Sequence, residues 1–222
     1  MKPAYNFFVD IFLKKYSNSE LEASMNTSKV MSSKILRKKR SLKLNLGCGR
    51  QYLKGYINID IRNQHVPGID PFIVDKYMDI TKIPYQFKTN SIEKIYCHHV
   101  LEHFQIKIIR PMLKEWHRIL KKGGGLEIGV PNFEDLVIIF NMLSLQARGI
   151  KPLWKADEFM FQNFWNRQEI KDSLFGRMDY PADSHICHFD KMFLRKLLRE
   201  AGFLKIEIIN VWNGLNAKAI KN

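Results

Sequence analysis

The sequence predicts an α/β fold: a doubly wound, mostly parallel seven-stranded sheet with an antiparallel last strand and a helical, aromatic cap insertion. Three observations carry that expectation. From Ser41 onward, short apolar runs alternate with helical or loop segments, the pattern of strands joined by crossovers. The first run, Leu42 to Leu46, opens onto the turn Gly47-Cys48-Gly49, and the second, Tyr56 to Ile61, carries an acid at Asp60. Near the end of the chain, Asn213-Gly214 is a tight-turn signal between two apolar runs, which predicts a terminal hairpin.

At 222 residues and 45% hydrophobic composition, the chain can bury one substantial core. We expect an N-terminal helix and basic linker over 1–40, then a main domain over 41–222. In the first part, Ala4 to Tyr16 places Phe7, Phe8, Ile11 and Phe12 on one side of a helix, with Lys14 and Lys15 behind them. Such a helix docks on a core or lies on a membrane surface. Ser17 to Lys34 is polar and reads as a linker. Lys34, Arg37, Lys38, Lys39, Arg40 and Lys43 follow with no acid between them and feed a net charge of +14. That field favours anionic partners, whether nucleic acid, an acidic membrane surface or phosphorylated substrates, although a solvated linker carries the same charges.

No apolar run approaches the roughly 20 residues that cross a bilayer, and the N-terminus has no signal-peptide pattern. Cys48, Cys97 and Cys187 are too scattered for a disulfide framework. A cytoplasmic protein with free thiols is expected.

The remaining elements follow in order. Phe72 to Met78 reads as a third strand and Ser91 to Cys97 as a fourth, running into His98. A helix is expected from about Pro111, a residue suited to a first turn, with Met112, Leu113, Trp116, Ile119 and Leu120 as its apolar face. Lys121-Lys122-Gly123 would close it with cations and a glycine stop. Leu126 to Val130 is a fifth strand. The long stretch 131–189 is the cap insertion, opening with a helix capped by Asn132 with Glu134 and Asp135 in its first turn. It continues with Trp154, Phe159, Phe161, Phe164, Trp165, Phe175 and Tyr180, which serve either a packed core or an aromatic platform over the site. Asp190 then caps a helix with Phe193, Leu194, Leu197 and Leu198 inward, and Gly202 ends it. Phe203 to Asn210 and Leu215 to Ile220 are the last two strands.

A strand ending in a glycine turn, followed by a strand ending in an acid, makes a nucleotide-type pocket at the carboxyl edge of a parallel sheet. Gly47 permits the sharp turn, Gly49 lets backbone approach a ligand, and Asp60 can accept hydrogen bonds from ribose hydroxyls. A dinucleotide fingerprint needs a third glycine where Tyr52 stands, which argues against a dinucleotide. Cys48 reads as a small turn residue rather than a nucleophile.

Five ordered segments carry a resemblance: Leu44-Asn45-Leu46-Gly47-Cys48-Gly49, Gly55-Tyr56-Ile57-Asn58-Ile59-Asp60, Met78-Asp79-Ile80, His99-Val100-Leu101-Glu102-His103-Phe104 and Leu120-Lys121-Lys122-Gly123-Gly124. Over roughly Leu42 to Lys221 the chain resembles the Rossmann-like, class I S-adenosylmethionine-dependent methyltransferases, and among them the small bacterial enzymes of sugar and surface-polysaccharide pathways. The resemblance implies S-adenosyl-L-methionine as cofactor. It implies that Leu46, Gly47, Cys48 and Gly49 pass beside the methionine portion and that Asp60 binds the ribose. It further implies that Asp79 faces the adenine amino group with Ile80 against the ring, and that His98 lies near the transferring methyl. The sequence departs from the family pattern in its first crossover: ten residues separate Gly49 from Asp60, too few for a full helix. The link after Asp79 is also short and contains Pro84.

Methyl transfer from a sulfonium needs alignment and exclusion of water, and a base only where the acceptor loses a proton. Base candidates are His98, His99, Glu102 and His103 beyond the fourth strand, and His185, His188 and Asp190 at the end of the cap. His103 and His185 are the preferred pair, because both are expected at the rim where cap and sheet edge meet. His185-Ile186-Cys187-His188 and Cys97-His98-His99 lack the paired spacing of a structural zinc site, so no metal is expected. The expected function is methyl transfer to a hydroxyl or similar group on a small molecule or glycan intermediate. The alternatives are RNA methylation, which the charge favours but no recognition module supports, and a cofactor-binding scaffold without catalysis. The N-terminal segment would allow peripheral membrane contact.

Overall fold

The computed structural model describes residues 41–61, 74–149, 167–177, 183–211 and 214–222. The expected N-terminal helix, the basic linker up to Arg40, and the cap residues Trp154, Phe159, Phe161, Phe164, Trp165 and Tyr180 lie outside the described residues.

Ser41–Asn222 forms one compact unit around a seven-stranded sheet. The strands are β1 (Leu42–Leu46), β2 (Ile57–Asp60), β3 (Lys76–Tyr77), β4 (Ile92–His98), β5 (Leu120–Val130), β6 (Phe203–Val211) and β7 (Gly214–Lys221). Their order across the sheet is β3-β2-β1-β4-β5-β7-β6. β7 runs antiparallel to both neighbours, and the other six strands share one direction. The described helices are α1 (Ile106–Ile119), α2 (Phe133–Ala147), α3 (Arg167–Phe175) and α4 (Lys191–Glu200), with a 3₁₀ turn at Leu101–His103. This is the Rossmann-like architecture expected from the sequence.

Strand alternation sorts the side chains onto two faces. Leu44, Leu46, Ile59, Ile95, Cys97, Ile128 and Ala217 pair in register and are buried. They join one core cluster with Ile109, Met112, Leu113 and Trp116 of α1 and Leu194, Leu197 and Leu198 of α4. The other face carries Asn45, Asn58, Tyr96, His98, Glu127 and Asn216, again in register.

Several elements differ from their expected limits. α1 begins at Ile106, so Pro111 is its sixth residue rather than its first. Proline there deprives the Lys107 carbonyl of a helix partner, but Lys107 and Pro111 are both exposed and water can take its place. The helix also stops earlier, because Leu120 turns extended (φ −60°, ψ 143°) and pairs with Ile92. Lys121-Lys122-Gly123 therefore lies in β5, and His117 and Arg118 supply the cations of the last helical turn. Asn132 precedes α2 as expected, yet its side chain donates to Asp135 Oδ2 at 2.6 Å instead of capping the helix. Asp190 does cap α4, accepting the Phe193 N–H at 2.7 Å. Of the expected third strand, Lys76–Tyr77 is strand, and its first residues lie outside those described.

Neither 47–56 nor 78–91 contains a helix, as the short spacings required. Polar side chains hold these loops instead. Buried Asn45 donates to Gln51 O (2.7 Å) and to Asn58 Oδ1 (2.9 Å). Asn58 Oδ1 also accepts the Leu53 N–H at 2.8 Å. Asp75 Oδ2 accepts both the backbone and side-chain N–H of Asn58, each at 2.8 Å. In the second loop, Tyr85 donates its hydroxyl to Ile80 O (2.6 Å) and accepts from Trp116 Nε1 (3.1 Å).

Candidate active site

Strand order reverses between β1 and β4, and the crevice beyond their carboxyl ends is where an open parallel sheet binds ligands. Gly47 leaves β1 with φ +65°, and a Cβ there would stand 2.4 Å from Val100 Cγ2, so the turn and the chain leaving β4 fit only because the residue is glycine. Gly49 also has positive φ (+48°), but nothing lies within 4 Å of where its Cβ would be. That side of the turn is open to a ligand. Asp60, at the end of β2, accepts the Gly49 N–H on Oδ2 (2.8 Å) and the Ile61 N–H on Oδ1 (2.8 Å). Cys48 N–H donates to Ile59 O at 3.0 Å. The glycine turn and the acid thus form one unit, and each carboxylate oxygen keeps acceptor capacity for a hydroxyl.

Cys48 is buried beside that carboxylate, and burial first, then the Asp60 charge, pushes its thiol up to about 11. It stays protonated and unreactive at neutral pH. Asp79 Oδ1 accepts from Thr81 N–H (2.9 Å) and Thr81 Oγ1 (2.6 Å), a local turn that sets Ile80 beneath it. Ile80 is buried against the core, and its carbonyl is the one held by Tyr85.

His98 ends β4 with its ring stacked on Tyr96, centroids 3.9 Å apart, and packed against Gly129, where a Cβ would come within 2.5 Å of Nδ1. Burial, and next the charge of His99, lower its pKa to about 4, so it is neutral at physiological pH. Its Nε2 is buried without a partner among the described residues. His99 then turns the chain at φ +54°, and the Glu102 carboxylate, 3.5 Å from its Nδ1, raises its pKa.

His103 and His185, 82 positions apart in the chain, have ring centroids 4.9 Å apart at 72°. The segment 183–189 is laid along the 3₁₀ turn by two hydrogen bonds into the Glu102 carbonyl, from Ile186 N–H (2.7 Å) and Cys187 N–H (3.0 Å). His188 instead reaches Leu174 O through Nε2 (2.7 Å), and Asp190 is taken up by the α4 cap. Of the seven base candidates, then, the structure gathers His99, Glu102, His103 and His185, packs His98 between Tyr96 and Gly129, and sets His188 and Asp190 to other work.

A family model described as a methyltransferase domain matches residues 30–208. The chain belongs to that family. It is an S-adenosylmethionine-dependent methyltransferase, as the ordered motifs implied. Similar solved structures include an S-adenosylmethionine-dependent methyltransferase of Thermotoga maritima described as a possible histamine N-methyltransferase (13% identity, 82% of each chain covered, TM-score 0.48). Another comes from Mesorhizobium loti (15% identity, 81% of this chain and 90% of that one, TM-score 0.49). A third is human N-acetylserotonin methyltransferase in complex with S-adenosylmethionine (14% identity, 82% and 47%, TM-score 0.49). No curated protein matches the sequence. Family membership rests on the family model.

In this methyltransferase the open side of Gly49, the acceptors of Asp60, the Asp79 turn with buried Ile80, and His98 with its orphaned Nε2 all lie along the carboxyl ends of β1 to β4. Sequence reasoning missed Asn45, Asn58 and Asp75, which carry the short crossover, and Val100, which closes on Gly47. An amide within each of two apolar strands, Asn45 and Asn58, was the available signal.

Proposed function

We propose that this methyltransferase transfers a methyl group from S-adenosylmethionine to a hydroxyl or similar group of a small molecule or glycan intermediate in the cytoplasm. The observation that carries the cofactor half is the Gly49–Asp60 unit at the switch point, with Gly49 open on its ligand side. Asp60 would hold the ribose hydroxyls, the Leu46 to Gly49 turn the methionine portion, Asp79 and Ile80 the adenine, and His98 would flank the methyl-bearing end. When bound, the cofactor supplies a methyl already activated on a sulfonium, so the protein's task is alignment and exclusion of water.

The acceptor half draws on the His103–His185 cluster at the same edge. Its neighbouring imidazoles and the Glu102 carboxylate suit an acceptor that must lose a proton, which a hydroxyl does. The net charge of +14 suits an acceptor carrying phosphate, such as a nucleotide-linked or lipid-linked sugar. That charge equally suits RNA, which stands as the second reading. Among the described residues no helix is long and apolar enough to cross a membrane.

The test is calorimetric titration with S-adenosylmethionine, followed by incubation of cell-extract fractions with methyl-labelled cofactor. Saturable binding lost in Asp60→Ala, with label in a glycan or small-molecule fraction, supports the proposal. Label in RNA moves the acceptor to the second reading. Absence of binding, unchanged by Asp60→Ala, rules out both.

A further inference from the structure

The cluster at the end of β4 has properties that a general base does not need. Glu102 is only 1% exposed, and neither carboxylate oxygen has a hydrogen-bond partner among the described residues. The nearest neighbour that can carry positive charge, His99 Nδ1, stands at 3.5 Å, the outer limit of a useful contact, and is charged only when protonated. An ionised carboxylate buried in that condition is costly, and proteins tolerate it where a cation or a proton completes the site.

The two imidazoles beside it are fixed in a matching state. His103 Nδ1 lies 3.2 Å from Ser184 O, and His185 Nδ1 lies 2.8 Å from Ser173 O. A carbonyl only accepts, so Nδ1 must carry the hydrogen in both rings, and Nε2 of each neutral ring is left as a bare lone pair. Donation of the remote N–H to a backbone carbonyl is the arrangement that orients a metal-ligating histidine. One ligand atom from each of Glu102, His103 and His185 lies within 4.8 Å of the other two. Ligand bonds of about 2.0–2.2 Å put tetrahedral donors about 3.4 Å apart, so the set has to close by up to about 1.4 Å, which side-chain rotations can supply.

We propose that Glu102, His103 and His185 bind a divalent first-row transition metal through two imidazole Nε2 atoms and one carboxylate. Two nitrogens and a carboxylate oxygen suit zinc, cobalt(II), manganese or iron(II), and disfavour calcium and magnesium, which take oxygen ligands. Three protein ligands leave a coordination position open, and His103 and His185 are both partly exposed, so the ion has an entry path. The ion would neutralise the Glu102 carboxylate and fasten segment 183–189 to the 3₁₀ turn. It departs from the expectation of no metal because the third ligand, Glu102, belongs to neither of the Cys/His runs that the sequence suggested. The inference needs no cofactor, but it competes with the base role proposed above for the same side chains: an ion on Glu102, His103 and His185 occupies the lone pairs that would take the acceptor's proton.

The test uses the full chain, stripped with chelator and dialysed, then titrated with zinc by calorimetry and with cobalt(II) by visible absorption. One equivalent should bind, cobalt(II) should show d–d bands, and Glu102→Gln and His185→Asn should each weaken binding at least tenfold. Cys187→Ser and His188→Gln should leave it unchanged. X-ray absorption of the zinc-loaded wild-type protein, which needs no variant to fold, should show imidazole and oxygen scatterers without sulfur. No stoichiometric binding, a sulfur scatterer, or undiminished affinity in a folded Glu102→Gln protein would each overturn the site.

Discussion

The backbone N–H of Gly49, in the turn after β1, donates to Asp60 Oδ2, at the end of β2, at 2.8 Å. The acid therefore shapes the turn as well as presenting acceptors to a ligand. Asp60→Ala should weaken S-adenosylmethionine binding by about 10- to 100-fold, roughly 1.4 to 2.8 kcal/mol. Asp60→Asn, which keeps one acceptor oxygen for Gly49, should lose less. Calorimetry on both variants, with melting curves to show that the fold survives, checks this; equal losses would mean that the turn contact contributes nothing.

Gly47 and Val100 meet where a Cβ would be 2.4 Å from Cγ2, and the glycine sits at φ +65°. Gly47→Ala should cost about 1–2 kcal/mol for the left-handed backbone and about 1–3 kcal/mol more for the clash. Pairing it with Val100→Ala removes the clash but not the backbone strain. A double-mutant cycle in denaturant should then show a favourable coupling of about 1 kcal/mol or more. Strict additivity would place the whole cost in the backbone.

The fold was legible because its signals are local. Glycine turns, the Asp190 cap and alternating apolar residues each act within a few positions, and β1, β2, β4, β6 and β7 fall within one or two residues of where the sequence put them. The α1–β5 boundary was not, because Leu120 becomes extended by pairing with Ile92, a partner 28 positions away that no local preference reveals. The same holds for the site. The cofactor candidates sit on strand ends that topology orders, whereas the Glu102–His103–His185 cluster exists only because the Glu102 carbonyl captures Ile186 and Cys187. The sequence puts His103 and His185 at one rim, but it does not show that the buried Glu102 carboxylate joins them.

Tyr85 joins α1 to the loop that carries Ile80, through Trp116 Nε1 at 3.1 Å and Ile80 O at 2.6 Å. Tyr85→Phe strands a buried indole N–H and a carbonyl, so stability should fall by about 1–3 kcal/mol. S-adenosylmethionine affinity should fall with it, since Ile80 loses its tether. Denaturant titration and calorimetry read the two effects, and a stability loss with unchanged affinity would separate the loop's anchoring from its proposed contact with adenine.

Glu115 is buried at 7% exposure and takes a bidentate pair from Arg118, at 2.6 Å and 2.7 Å, while also accepting the Tyr85 N–H at 2.7 Å. Arg118→Ala would leave that carboxylate without its cation, at a cost of about 3 kcal/mol. Arg118→Lys should recover only part, because an ammonium cannot reproduce the fork or its bonds to Phe87 O and Thr89 Oγ1. Chemical denaturation of the two variants checks the ranking.

His98 gives the chain a pH dependence whose sign is fixed by burial. Its ordinary pKa of 6.5 applies in the unfolded chain and about 4 in the folded one. Between those values the unfolded chain takes up a proton that the folded chain refuses, so His98 lowers stability as pH falls through 6.5, and the penalty is complete below about 4. The full shift corresponds to about 3 kcal/mol, and partial solvent access reduces that to about 1–2 kcal/mol. His185 and His117 are shifted in the same direction and His99 in the opposite one, so the effect must be read as a difference. His98→Phe keeps a ring against Tyr96 and Gly129 but cannot titrate. Relative to wild type, its unfolding free energy should gain about 1–2 kcal/mol between pH 7 and pH 4. Parallel profiles across that range would show that His98 is protonated in the folded protein as readily as in the unfolded one.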